Sequence, residues 1–198
     1  SYTIGESVSE KDRWPVQLVE ELKKRGYKVG PPIIIARTGW TTQNLINAMD
    51  YELKEERNFD LISILIGVNN QYQGMNDPEY EMRLRGYEIE LREIFSRAIN
   101  HSKEREKGVF ALSIPDYGAT PFGADNAERI TKEIDDYNAV AKKVAKEIGI
   151  DFFNITPISR EAARDKDLVA VDNLHPSGSM YRLWMLEIVE EVVKKLPD

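Results

Sequence analysis

The sequence predicts an α/β fold in which helices cover both faces of a parallel sheet. Three observations predict it: short aliphatic runs recur along the chain, amphipathic helical periods separate them, and the turns between them are short. Parallel strands need long crossover connections, which helices of this length supply. We therefore expect a three-layer α/β/α sandwich, built as a single domain over residues 1–198.

The first half of the chain alternates helical and strand patterns. Asp12 is a candidate cap for a helix whose apolar face carries Trp14, Leu18 and Leu22, and Gly26 supplies its stop. The isoleucine run that follows is typical of a strand buried on both faces. The elements expected here are a helix from Asp12 to Gly26, a strand over Ile33–Ile35, a helix from Thr41 or Thr42 to about Glu56, and a strand over Leu61–Ile66.

The second half continues the alternation. Asp77 opens a long helix with Pro78 at its first position, where a missing backbone N–H costs nothing. The elements expected after it are a strand over Val109–Ile114, a helix from about Asn126 to Ile148, a strand around Ile150–Ile155, and a helix from about Met180 to Lys195.

Composition excludes several classes of function. The chain carries 27 Lys and Arg against 34 Asp and Glu, a net charge of −7 that opposes binding to a phosphate backbone, so we expect no nucleic-acid partner. No apolar run approaches the ~18 residues of a membrane span, and we expect a soluble chain, cytoplasmic or secreted. The sequence indicates no oligomeric state.

The ligands that metals prefer are scarce in this sequence. Cysteine is absent, which excludes disulfides, thiol nucleophiles and thiolate metal sites. The two histidines, His101 and His175, are too far apart along the chain to suggest a zinc site. We therefore expect neither a metal nor an organic cofactor.

Polar residues stand directly after the predicted strands, where parallel sheets bind their ligands. Four blocks in this order resemble those of the SGNH hydrolases, also called the GDSL esterase and lipase family. They are SYTIGES at Ser1–Ser7, the isolated Gly39, GVNN at Gly67–Asn70, and DNLH at Asp172–His175. Each block alone is a weak signal, but all four in order form a strong one.

The resemblance implies a fold of the SGNH-hydrolase (flavodoxin-like) type and a serine hydrolase. It implies that Ser1 is the nucleophile of a catalytic triad completed by Asp172 and His175. The same resemblance implies an oxyanion hole formed by the backbone of Ser1, by Gly39 and by the side-chain amide of Asn69.

The chemistry of ester hydrolysis asks for these residue types independently. A serine hydroxyl becomes a good nucleophile when a neutral imidazole takes its proton, and an acceptor must hold that imidazole in one tautomer. Donors must then face the oxyanion of the tetrahedral intermediate. The sequence thus predicts a serine esterase that acts on a small-molecule ester through an acyl-enzyme. Short acyl or acetyl esters are favoured because no long apolar lid is visible between the blocks.

Four aromatic residues in the same loops are candidates for the walls of a substrate pocket, although loop aromatics often serve only packing. They are Trp40, Tyr72, Tyr117 and Phe122.

Two features depart from the family pattern. The third block usually reads GxND, whereas Asn70 stands here in place of the aspartate. The family also has a buried strand ending in Gly-Asp before the nucleophile, so we expect the natural protein to carry such a segment upstream of Ser1.

Several alternatives stay open at the level of sequence. The family includes carbohydrate O-deacetylases, lipases and thioesterases, and the chain is also consistent with a catalytically silent binding domain. If Ser1 were the true terminus, its own α-amine is a candidate base, as in N-terminal nucleophile hydrolases. The structural alternatives give these residues no catalytic role. In them Ser1 is a disordered end, Asn69 caps a turn, and Asp172 with His175 is a surface pair that caps the last helix. His101, near the end of a long helix, favours stabilisation of the helix dipole over catalysis.

Overall fold

Helices and strands alternate along the chain in the computed structural model, which describes residues 1–53 and 58–196. Within these residues the order of elements is α1 (Trp14–Lys24), α2 (Thr42–Glu52), β1 (Ile62–Ile64), α3 (Val68–Gly74), α4 (Tyr80–Asn100), β2 (Val109–Leu112), α5 (Ala127–Ile148), β3 (Asp151–Phe153), α6 (Thr156–Arg160) and α7 (Gly178–Val193). No helix among them is both long enough and apolar enough to cross a membrane.

The chain forms two compact units. The first unit contains Ser1–Thr38, Pro115–Thr131 and Ile155–Lys194; the second contains Gly39–Ile114, Lys132–Asn154 and the residues from Lys195 onward. Each unit is assembled from separate stretches of sequence.

The first unit is built around the packing of α1 against α7. The apolar face of α1 buries Trp14, Leu18 and Leu22. The N-terminus of α7 is capped by Ser177, whose hydroxyl accepts a hydrogen bond from the Met180 backbone N–H (3.3 Å). This cap fixes the point at which the DNLH loop passes into α7.

The second unit contains a three-stranded parallel sheet in the order β1-β2-β3. Ile62 pairs with Val109, and Phe110 pairs with Asp151. All four residues of the central strand β2 are buried, as its continuous apolar sequence predicts. On the helical side of this unit, α2 packs against α4. The predicted α/β class and the parallel sheet are confirmed, with strands shorter than the sequence indicated.

The predicted strand at Ile33–Ile35 is wrong. These residues are outside the three strands, and Ile33 is 61% exposed. Branching at Cβ favours extended backbone, but a strand also needs a neighbouring chain to pair with its N–H and C=O groups. The described strands pair with one another instead.

Two predicted helix starts are also wrong by a few residues. Arg13, not Asp12, is the N-cap of α1, and Asp12 accepts a hydrogen bond from the Ser9 hydroxyl (2.5 Å). Asp77 accepts from the Glu79 backbone N–H (2.9 Å) and closes a turn ahead of α4. In both cases aspartate makes a local turn with the same chemistry that would cap a helix.

Smaller differences concern α2, α3 and the two long C-terminal helices. α5 and α7 each start within two residues of their predicted starts, and α2 ends at Glu52, its predicted end lying outside the described residues. The GVNN block, which follows a predicted strand, opens α3. Glycine and asparagine are weak helix formers, so this helix has little local signal.

Candidate active site

The loop before α7 brings Asp172 and His175 together. Asp172 Oδ1 accepts hydrogen bonds from the backbone N–H groups of Leu174 (3.0 Å) and His175 (2.9 Å). Asp172 Oδ2 lies 2.6 Å from His175 Nδ1. Asn173 between them has a φ of 63°, a left-handed conformation that asparagine tolerates. One carboxylate therefore holds both the turn and the imidazole ring.

Backbone pairing on both sides fixes this loop. The Ala170 N–H donates to the His175 carbonyl (2.7 Å), and the Ser177 N–H donates to the Leu168 carbonyl (2.9 Å). The ring of His175 is thus carried on a closed hairpin that leads directly into α7. A rigid support of this kind favours a fixed orientation of a catalytic imidazole.

Ser7 supplies a further contact that the sequence analysis missed. Its hydroxyl donates to Asp172 Oδ2 (2.6 Å) across 165 positions of sequence. Burial by itself would raise the pKa of Asp172, but the hydrogen bonds from Ser7, from the His175 ring and from the two backbone N–H groups together lower the pKa below its usual range. Asp172 is therefore ionised at neutral pH and can accept a hydrogen bond from the N–H at Nδ1 of His175.

The aromatic ring of Tyr2 packs against the imidazole of His175. The ring centroids of Tyr2 and His175 lie 5.1 Å apart, with the planes tilted by 56°. Both residues are 7% exposed. Burial, followed by the nearby Tyr117, Asp172 and Asp116, raises the pKa of Tyr2, so its hydroxyl stays neutral. The Tyr2 ring therefore shares the buried surroundings of His175.

A small pocket opens beside His175 within the first unit. Tyr2, Tyr117 and Leu174 line it together with His175. Its volume is about 10 Å³, room for about one water molecule. Ordinary ligand pockets have roughly 300–1,000 Å³. This pocket is therefore too small to hold an acyl group.

Asp116 also lines this pocket, and its carboxylate accepts hydrogen bonds from neighbouring side-chain and backbone groups. Its Oδ2 accepts from the Thr131 hydroxyl (2.7 Å) and from Arg160 Nε (2.9 Å), and its Oδ1 accepts from the Gly118 N–H (2.9 Å). A buried carboxylate with this many donors is stabilised in place. It shapes the loop after β2, on which Tyr117 stands.

Ser1 begins a tightly folded turn in the same unit. Its carbonyl accepts from the Glu6 N–H (3.1 Å), and Gly5 within the turn has a φ of 66°. A Cβ on Gly5 would lie 2.5 Å from Arg13 Cγ, so this position requires glycine. The first and fourth motif blocks therefore lie in one unit, joined by the Ser7–Asp172 hydrogen bond.

The second and third blocks meet in the second unit. Asn69 Nδ2 donates to the carbonyl of Trp40 (3.0 Å), and Gln73 Nε2 donates to the carbonyl of Gly39 (3.4 Å). Gly39 has a φ of 84°, which favours glycine. Asn69 thus borders the Gly39–Trp40 segment.

The four aromatic candidates differ in their surroundings. Tyr117 is buried and lines the pocket beside His175. Phe122 is 51% exposed, and its backbone N–H donates to the Asn173 carbonyl (3.0 Å), which ties it to the DNLH loop. Tyr72 is exposed on α3, and Trp40 is half-buried beside Gly39. Their role in substrate binding stays a prediction.

The remaining histidine, aspartate and glutamate side chains form no metal site in the part of the chain that the structure describes. His101 is the C-cap residue of α4. Over residues 1–53 and 58–196, no cluster of three or more histidine, aspartate or glutamate side chains is placed to hold a metal ion.

Replacing Ser7 by alanine is expected to lower the free energy of unfolding at neutral pH by on the order of 1 kcal/mol, because ionised Asp172 loses a donor. The native pKa of Asp172 lies below its unfolded value, so its stabilisation is present above about pH 4 and is lost as the pH falls toward the native pKa. A loss of about 1 kcal/mol corresponds to a rise of less than one unit in the native pKa of Asp172, which stays below the unfolded value. The deficit of Ser7→Ala should therefore persist to about pH 3, which urea unfolding at several pH values measures.

Ser9→Ala is the matched control, because Ser9 also donates to an aspartate, Asp12, away from His175. A Ser7→Ala protein as stable as wild type at neutral pH would contradict this role of Ser7.

The chain is similar to known proteins in its sequence profile and in its fold. The profile of a family described as the GDSL-like Lipase/Acylhydrolase family matches residues 1–183. A search of curated protein sequences gives no significant match.

Solved structures resemble the chain in fold at low sequence identity. An acetyl xylan esterase variant from Geobacillus stearothermophilus is 20% identical, with a TM-score of 0.69 over 90% of this chain and 80% of the other. TesA is 14% identical, with a TM-score of 0.68 over 99% and 96%. The psychrotrophic esterase EstA from Pseudoalteromonas sp. is 15% identical, with a TM-score of 0.62 over 98% and 92%.

Proposed function

Because the chain belongs to the GDSL-like lipase/acylhydrolase family and is a serine ester hydrolase, we propose that it cleaves short-chain carboxylic esters through an acyl-enzyme on Ser1. In this proposal Asp172 and His175 complete the triad. The observation that carries it is the contact of Asp172 Oδ2 with His175 Nδ1 at 2.6 Å, on a loop that also receives the Ser7 hydroxyl.

The first half of the reaction forms the acyl-enzyme. Asp172 holds the proton on Nδ1 of His175, so Nε2 carries a lone pair and takes the proton of the Ser1 hydroxyl. The Ser1 oxygen bonds to the ester carbonyl carbon, and the carbonyl π electrons move onto oxygen. When the tetrahedral intermediate collapses, His175 gives the proton to the departing alcohol oxygen, and the acyl group stays on Ser1.

The second half returns the enzyme to its starting state. A water molecule gives a proton to Nε2 of His175 and attacks the acyl carbon. Collapse of this second intermediate breaks the bond to the Ser1 oxygen, which recovers the proton from His175. The products are a carboxylic acid and an alcohol, and Asp172 stabilises the imidazolium in both halves without taking its proton.

The oxyanion is assigned to donors named by the family motif. The backbone N–H groups of Ser1 and Gly39 and the side-chain amide of Asn69 would donate to it. Asn69 Nδ2 already donates to the Trp40 carbonyl (3.0 Å), which supports a fixed orientation of this amide. A donor that needs no reorganisation is the kind that stabilises a developing charge best.

The preference for short acyl groups is supported by the sequence, in which no long apolar lid lies between the motif blocks. The structural likeness to an acetyl xylan esterase makes acetyl esters of carbohydrates a second candidate substrate class.

Hydrolysis of p-nitrophenyl esters from acetyl to palmitoyl tests the acyl preference. We expect kcat/KM to be highest for acetyl or butyryl and to fall at least tenfold by palmitoyl, because the sequence has no long apolar lid to cover such a chain; tenfold corresponds to about 1.4 kcal/mol in the activation free energy. Highest activity on palmitoyl would contradict it. Acetate release from acetylated xylo-oligosaccharides compares the second candidate directly.

A further inference from the structure

The residue that departs from the family pattern makes an unusual set of contacts in the second unit. Asn70 Oδ1 accepts from the backbone N–H of Thr42 (3.0 Å), and Asn70 Nδ2 donates to the Thr42 hydroxyl oxygen (2.5 Å). The Thr42 hydroxyl in turn donates to Oε2 of Glu90 on α4. Thr42 is completely buried.

The direction of these hydrogen bonds is set by one group. The Thr42 N–H stands at the start of α2, has no partner within the helix, and can only donate. The amide of Asn70 must therefore turn its oxygen toward the Thr42 N–H and its NH₂ toward the hydroxyl. The Thr42 hydroxyl then donates its one hydrogen bond to the Glu90 carboxylate.

This arrangement lies beside the proposed oxyanion residue. Asn69 and Asn70 are neighbours in the first turn of α3 and hold Trp40 and Thr42, respectively. Two adjacent amides thus fasten the segment that contains Gly39 to the start of α3. A shift of this segment would misdirect both motif donors.

We propose that Asn70, Thr42 and Glu90 form a hydrogen-bond relay that positions Asn69 and the Gly39–Trp40 segment, with Asn70 acting as a positioning residue. This inference rests on the proposed function. It also accounts for the departure from GxND: the acid of this site is Glu90, on α4, and position 70 must be a donor as well as an acceptor.

An aspartate at position 70 is therefore expected to be harmful in this chain, although it restores the usual family residue. Its two oxygens would accept from both the N–H and the hydroxyl of Thr42, which leaves Glu90 without that proton. Two carboxylates would then compete for one hydroxyl, and their like charges would repel.

A double-mutant cycle of Asn70→Asp, Glu90→Gln and their combination tests the relay. In the double variant the carboxylate introduced at position 70 accepts from Thr42, and the amide introduced at position 90 donates to the Thr42 oxygen, so the hydroxyl bonds are remade in the opposite direction. We expect Asn70→Asp to lower kcat for p-nitrophenyl acetate by about tenfold or more with little change in KM, and Glu90→Gln by about threefold. The double variant should recover to within about threefold of wild type.

Asn47→Asp is the matched control, because Asn47 is an exposed amide on α2 that accepts from Gln43 (3.1 Å); its kcat should equal that of wild type. A double variant no more active than Asn70→Asp, or a wild-type rate for Asn70→Asp, would overturn the relay.

Thermal unfolding midpoints of wild type, the two single variants and the double variant provide a readout that does not depend on activity. The midpoints can also be compared when Asn70→Asp is unfolded at the assay temperature. The relay requires the unfolding midpoint of the double variant to be higher than that of Asn70→Asp. If the midpoint shifts of the two single variants simply add in the double variant, the relay is overturned. Labelling of wild-type Ser1 by a fluorophosphonate separates the two proposals. An unlabelled wild type would contradict the proposed function, whereas a labelled wild type with an additive cycle would contradict the relay alone.

Discussion

Asp172→Asn is expected to lower kcat by about 10⁴-fold while the protein stays folded. The asparagine oxygen can still accept from the N–H groups of Leu174 and His175, so the turn is retained. Its NH₂ group would then face Nδ1 of His175 and force that nitrogen to be the acceptor. The proton would move to Nε2, the nitrogen that must receive the proton of Ser1.

Single-turnover acylation with p-nitrophenyl acetate, measured beside the circular dichroism of the folded protein, checks this result. Asp165→Asn is the matched control, because Asp165 accepts from the Asp167 N–H (3.0 Å) in a similar turn without touching His175. Near-normal acylation by Asp172→Asn would mean that the carboxylate is misassigned.

Asn69→Ala is expected to lower kcat by about 10²–10³-fold with KM almost unchanged. A donor to the oxyanion strengthens as negative charge develops, so its loss weakens binding of the transition state more than binding of the ester. The variant also loses the hydrogen bond to the Trp40 carbonyl, which should cost about 1 kcal/mol of stability. Asn69→Asp should be at least as inactive, because a carboxylate repels the oxyanion.

Melting temperature and acylation rate together separate a catalytic Asn69 from a turn residue. Asn47→Ala, which removes an exposed amide with one hydrogen bond, should leave the acylation rate unchanged. An Asn69→Ala protein with lowered stability but an intact acylation rate would remove Asn69 from the site.

The sequence predicted the fold where local pattern and tertiary partner agree. Val109–Leu112 is apolar throughout and becomes the buried central strand. Ile33–Ile35 has equally strong local pattern, yet it forms no strand, because pairing depends on residues distant in sequence. The start of α3 at Val68 was missed for the opposite reason. Its weak helix formers are held by tertiary contacts such as that of Asn70 with Thr42.

The site shows the same division between near and distant residues. Asp172 and His175 are three residues apart, so the motif spacing itself predicts a contact that the structure contains. Ser7 and Tyr2 reach the same loop from the other end of the chain, and no spacing rule links them to it. Glu90 had no motif signal at all, because its link to the site runs through the hydroxyl of a buried threonine.

The most direct test of the account is the location of a covalent adduct. The protein is treated with a fluorophosphonate, its intact mass is measured, and the modified peptide is sequenced by mass spectrometry. An activated serine reacts with such a probe, whereas a merely exposed one does not. We expect one adduct per chain, on Ser1, and none in Ser1→Ala or His175→Ala. An adduct on a different serine, or ester hydrolysis that persists in Ser1→Ala, would contradict it.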